Sequence, residues 1–243
     1  ADLKKLLPRL EDDLRARSEE DAATGEHLKA EYDKARAAGR TALAYEAWRE
    51  DPLTQSAVAW ILSCVFVRFL EDNGLLYEAA RPARLLWGTT PDLQRLAEDR
   101  YTHHIRTFPS HSDRDVLLAL FREAGELPGA SHLFDPRHNF AFALGLSADG
   151  ARLLREFWQR RDDSTGDFLH DFTDPQLATR FLGDLYQDLS EAARQRYALL
   201  QTPEFVEEFL LDRTLTPALD EVGFEKVRLI DPACGSGHFL LGA

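Results

Sequence analysis

The chain has 243 residues, 44% of them hydrophobic and 29% charged, and carries a net charge of −13. That size and balance suit one or two globular domains. The acidity argues against a segment that grips duplex DNA by charge alone. The longest apolar run, Ala57 to Val67, is eleven residues interrupted by Ser63, where a membrane span needs about 18. The start shows no signal-peptide pattern.

Only five of the 29 basic residues are Lys, so the positive charge is almost all Arg, the cation suited to bidentate carboxylate or phosphate contacts. The two cysteines, Cys64 and Cys234, do not make a disulfide framework, and a cytoplasmic protein is expected. The eight His show no paired ligand spacing, so no metal site is expected.

The leucines at 3, 6, 7, 10 and 14 predict an amphipathic helix over 3–17, with Pro8 separating or kinking its first turn. Residues 19–38 are charged and Ala-rich and read as a solvated helix ended by Gly39. Thr41 is placed to cap a short helix bearing Tyr45 and Trp48. Asp51-Pro52 then reads as a fresh helix start. Leu53 to Glu71 is apolar nearly all round and predicts the buried centre of a helical bundle, closed by Asn73-Gly74.

Residues 81–109 alternate turns and short helices, punctuated by Pro82, Gly88, Pro91 and Pro109. Ser112 to Asp115 is a capping box for a helix through Phe121. Phe134, Phe140 and Phe142 lie in a loop-rich stretch, where they either fill a satellite core or stack bases; no basic neighbourhood favours stacking. Asp149 caps a helix with Leu154, Phe157 and Trp158 inward and Arg152, Arg155, Arg160 and Arg161 outward. The polar stretch 162–174 reads as a hinge. It divides a helical N-terminal domain, 1–172, from a second domain, 173–243. Asp174-Pro175 restarts a helix through Phe181, Leu182 and Leu185.

Thr202-Pro203 is a cap followed by a first-turn Pro, and Thr216-Pro217 starts a further helix that ends at Gly223. Val227 to Ile230 is a short apolar run of the kind that makes a buried parallel strand. Asp231-Pro232-Ala233-Cys234-Gly235-Ser236-Gly237 follows, and His238-Phe239-Leu240-Leu241 opens a helix. Strand, acid, glycine turn and helix is how an open α/β sheet holds a cofactor. The expected architecture is a mostly α-helical N-terminal domain followed by the start of an α/β Rossmann-like domain.

The string from Asp231 to Leu240 matches every fixed position of D-P-x-C-G-S-G-x-F-L. It resembles the S-adenosylmethionine-binding motif of amino-group DNA methyltransferases. The resemblance implies that Asp231 helps bind the cofactor's ammonium group. It implies that the loop Pro232, Ala233, Cys234, Gly235, Ser236 and Gly237 wraps the methionine end, and that Phe239 lines the pocket. Leu199-Leu200-Gln201-Thr202-Pro203-Glu204-Phe205-Val206 is similar to the Thr-Pro element that precedes this loop in the family and contacts the methionine part. Family members often carry aromatics where Leu200 and Gln201 stand here.

With Leu182-Gly183-Asp184-Leu185-Tyr186 and the helical N-terminal part, the chain resembles the PglX-type adenine-specific methyltransferases of BREX phage-defence systems. Only about the last 45 residues hold specific motifs. The family's fold is Rossmann-like and its reaction is methyl transfer to adenine N6 in duplex DNA, with self-marking in phage defence as the expected role. The family's catalytic Asn-Pro-Pro-aromatic motif is absent from these residues. The chain therefore reads as the N-terminal part of a larger enzyme, inactive by itself. DNA would be contacted mainly through other parts, with defence-system proteins as further partners. A fused nuclease is not supported, because only Asp2-Leu3-Lys4 offers acid-x-Lys. The alternative is a non-catalytic helical module that docks defence partners or phage proteins.

Overall fold

A computed structural model describes residues 2–75, 87–88, 90–127, 129–177, 181, 185, 188–189, 202, 204–232, 234 and 237–243. The chain divides into two compact units, Ala1–Ser190 and Glu191–Ala243. The composition boundary lies at 172/173, and the described residues from Thr173 to Leu189 fall in the first unit.

The first unit is helical. α1 (Asp2–Glu20) buries Leu6, Leu10 and Leu14. The expected break at Pro8 does not occur. Proline inside a helix costs about 3 kcal/mol, and three buried leucines at about 1.5–3 kcal/mol each offset it. α2 (Ala22–Ala37) starts at Asp21, whose carboxylate accepts from Thr24 N at 3.0 Å. Its Leu28, Tyr32 and Ala35 are buried on the side facing the bundle. The Tyr32 hydroxyl donates to Leu43 O at 2.9 Å.

α3 (Tyr45–Asp72) is the axis of the unit. Sequence reading divides it at Asp51-Pro52, but the structure has one helix with Pro52 inside. The early turns are held from outside. Tyr45 and Trp48 pack on Tyr32 at 5.4 and 5.5 Å, and Glu50 takes Arg15 at 2.8 Å. α3 ends as expected at Asn73-Gly74. Gly74 N donates to Glu71 O and Leu75 N to Leu70 O, with Gly74 at φ 68°, the left-handed stop that glycine adopts freely. By length and mean hydropathy α3 also passes for a membrane-crossing helix. Most of its apolar surface is instead buried against the other helices.

α4 (Pro91–Thr107) is a single helix capped by Thr90, longer than the alternation of short elements expected there. α5 (Asp113–Ala124) carries the expected capping box. Ser112 N and its hydroxyl donate to the Asp115 carboxylate at 2.8 and 2.9 Å. Phe134 and Phe142 join the main core against Phe121, while Phe140 stays exposed. α6 (Phe140–Ala143) is one turn.

α7 (Ala148–Trp158) is capped by Ser147, not by Asp149. Ser147 Oγ accepts from Gly150 N at 3.0 Å. Asp13 of α1 fixes the cap from across the bundle, accepting Ser147 N at 2.9 Å and the Ser147 hydroxyl. A Cβ on Gly150 would land on that carboxylate.

The stretch 162–174, read from composition as a hinge, is tied down. After one antiparallel bridge, Arg161 to Phe168, it runs along the end of α3. Arg68 donates to Asp72 at 2.9 and 3.1 Å and to His170 O at 3.0 Å. Asp72 accepts Phe172 N at 3.0 Å, and Asn73 bonds Phe172 O and Asp174 N. Polar composition does not make a linker when a buried ion pair supplies its hydrogen bonds. Asp174-Pro175 leads into a turn, and Phe181, Leu185, Asp188 and Leu189 are helical. Leu182 lies outside the described residues.

His170 stacks on Phe157 at 4.6 Å and meets Trp158 edge-on. Burial, reinforced by Arg160 and Arg68 against the pull of Asp2, holds its imidazole below the usual range. The unfolded chain then binds the proton more tightly, so this stability is complete above about pH 6.5 and is lost as pH falls from there through the lower folded value. Urea midpoints are expected to drop from pH 7.5 to pH 5, and His170→Phe should flatten that fall. An unchanged pH dependence in the variant would exclude His170 as its source.

In the second unit, α8 (Glu204–Val222) is one helix running through Pro217, so Thr216-Pro217 does not begin another. It stops at Gly223 as expected. α9 (His238–Gly242) lies against it, with Gly242 facing Glu207 and Leu211. The expected Rossmann-like start is not shown by the described residues. No residue among those described is in a strand, and Val227–Ile230 has no ladder partner.

Candidate functional site: the glycine turn before the last helix

The strand expected to deliver Asp231 is missing, and Leu229 and Ile230 are 46% and 84% exposed. A parallel strand is stabilised by strands on both sides and by helices on both faces. Among the described residues nothing supplies them.

The turn and the helix start that were expected are present. The Gly237 N–H donates to Cys234 O at 2.7 Å, closing a turn. Gly237 sits at φ 85° and opens α9 as its N-cap. A Cβ there would meet no atom within 4 Å, so the backbone faces open space. That opening is what a loop around a ligand needs. Asp231 is half-buried just before the turn, Phe239 is half-buried in the first turn of α9, and Pro232 and Cys234 are exposed. Thr202 is half-buried two residues before α8. Pro203, Ala233, Gly235 and Ser236 lie outside the described residues.

Geometry thus supports a glycine turn leading into a helix, and no more. The deciding observation is one of likeness. Over 251 aligned residues the chain is 50% identical to the adenine-specific methyltransferase PglX of Streptomyces coelicolor. This chain is similar to PglX along its whole length. It spans 20% of that relative. No family model and no solved structure matches.

Sequence reading missed two features of the first unit. One is the Arg68–Asp72 pair within α3. The other is a polar cavity of about 400 Å³ lined by Trp87, Tyr101, Arg155 and Arg161 among others. Its walls come from separate stretches of chain, so no local spacing announces it. A larger cavity, about 510 Å³, lies between α3 and residues 132–140 and is mainly apolar.

Proposed function

We propose that the chain is part of a cytoplasmic, S-adenosylmethionine-dependent methyltransferase that modifies adenine N6 in duplex DNA and serves self-marking in phage defence. The observation that carries this is the 50% identity to PglX along the whole chain. The ten-residue string Asp231 to Leu240 names the cofactor, through its resemblance to the amino-group methyltransferase motif.

S-adenosylmethionine, when bound, supplies the methyl group. Asp231 would accept hydrogen bonds from its ammonium group. Gly235, Ser236 and Gly237 would offer bare backbone to the methionine end, and Pro232, Ala233 and Cys234 would shape the loop. Phe239 would wall the pocket, and Thr202 and Pro203 would touch the methionine part from the start of α8. The open ground at Gly237 fits that role. An adenine must leave the stack before its amino group can be reached, and positioning then carries most of the catalysis. The residues that hold the base belong to an Asn-Pro-Pro-aromatic motif that this sequence does not contain, so these residues alone should transfer no methyl group.

Calorimetry on the intact protein tests the site. Asp231→Ala or Gly235→Val should weaken S-adenosylmethionine binding about tenfold or more, the loss of one charge-assisted contact or of backbone access. Unchanged affinity in either would remove the assignment. The 243-residue chain alone should bind more weakly than micromolar, because none of its described residues forms a strand to meet the ribose and adenine.

A further inference from the structure

The 400 Å³ cavity lies in the first unit and shares no residue with the glycine turn. Its volume falls in the range of small-molecule sites, about 300–1,000 Å³. Two guanidinium groups face it, and the structure orients both.

Arg155, on α7, is held by a network. Its Nε donates to Asp113 Oδ1 at 2.7 Å and its Nη1 to Gln159 Oε1 at 2.8 Å. The guanidinium plane lies over the Tyr101 ring at 4.7 Å. Tyr101 is itself tied to Asp113, and burial together with that carboxylate pushes its phenol up. These contacts use two of the three nitrogens of Arg155, and among the described residues Nη2 has no hydrogen-bond partner. Arg161, just past the end of α7, stacks over Phe168 at 4.1 Å and gives Nη1 to Gly166 O at 2.6 Å. Among the described residues its Nε and Nη2 have no hydrogen-bond partner. Guanidinium groups pinned on rings bind carboxylate or phosphate oxygens with little ordering cost.

The other walls narrow the ligand. Trp87 and Phe168 add ring surface, and Gln94 and Gln159 add amides that both donate and accept. Glu98 adds an acid. With Asp113 already offsetting Arg155, that acid disfavours a polyphosphate chain, and it can accept a hydrogen bond from an amino group at the other end of the ligand. The geometry points to a binding site for a nucleoside monophosphate with an amino-bearing base. The phosphate meets Arg161 and Arg155 Nη2, and the base lies toward the rings and amides.

The test follows saturation-transfer NMR, or the change in tryptophan fluorescence that Trp87→Phe removes, while adenosine monophosphate is titrated into the 243-residue chain. Saturable binding is expected, with adenosine alone and inorganic phosphate alone each much weaker. Arg161 is exposed, so Arg161→Gln should leave the melting temperature unchanged while weakening binding about fivefold or more, the loss of one charged hydrogen-bonding partner. Asp231→Ala should leave this binding untouched, which separates it from the proposed S-adenosylmethionine site. No saturation at about 10 mM, below any useful affinity, overturns the proposal. So does equal affinity in Arg161→Gln, or tighter binding of a short single-stranded oligonucleotide than of the mononucleotide.

Discussion

Asp72→Ala is expected to lower the stability of the first unit by about 3–5 kcal/mol, the cost of breaking a buried ion pair from one side. The side chains of Arg68 and Asp72 are 2% and 1% exposed. Removing the carboxylate strands a guanidinium that also stacks on Phe168 at 4.7 Å and faces Trp87 at 5.7 Å. It also orphans Phe172 N, which bonds Asp72 at 3.0 Å. The damage should therefore be local first. Hydrogen exchange should quicken at Phe172 and Asp174 before the core of α3 loosens. Replacing both partners with apolar residues, Arg68→Met with Asp72→Leu, should recover part of the loss, because no charge is then left buried. Denaturant melts of the two variants beside the unaltered chain decide it. If Asp72→Ala cost less than about 1 kcal/mol, the pair would be no stronger than an exposed one.

Trp60→Ala should cost about 3–5 kcal/mol through a second mechanism, a cavity at the centre of the bundle. Trp60 is fully buried on α3, packs on Phe121 at 5.6 Å, and donates Nε1 to Leu144 O at 3.0 Å. Ser56 Oγ donates to the same carbonyl at 2.8 Å. Trp60→Phe should therefore cost much less than the alanine change, since most of the ring volume stays and Leu144 O keeps one donor. Equal losses in the two variants would assign the effect to the hydrogen bond, not to packing.

The two variants bear on different kinds of legibility. Trp60 belongs to an apolar periodicity that places α3 at the centre of a bundle from sequence alone. The Asn73-Gly74 stop and the Ser112 capping box were equally plain, because each rests on local backbone chemistry within four residues. Two helix starts are misplaced. Asp51-Pro52 and Thr216-Pro217 look like helix beginnings, yet both lie inside helices. For α3, rings and ion pairs from α1 and α2 hold the turns before Pro52, and a local signal carries no information about them. Ser147 takes the capping role expected of Asp149 because Asp13, far away in sequence, fixes its geometry.

The candidate site divides the same way. Sequence by itself determined the identity of the motif from Asp231 to Leu240 and the helical character of the first unit, since both depend on residue type at short spacing. Gly237 takes its left-handed turn and α9 begins where the string says it should. Tertiary structure decided that 162–174 is fastened to α3, that Arg155 and Arg161 share one cavity, and that Val227–Ile230 stays unpaired. Each of those outcomes turns on groups far apart in the chain: His170 and Phe172 on the end of α3, α4 and α7 around one cavity, or a ladder that needs neighbouring strands. Spacing within a short stretch does not encode such contacts.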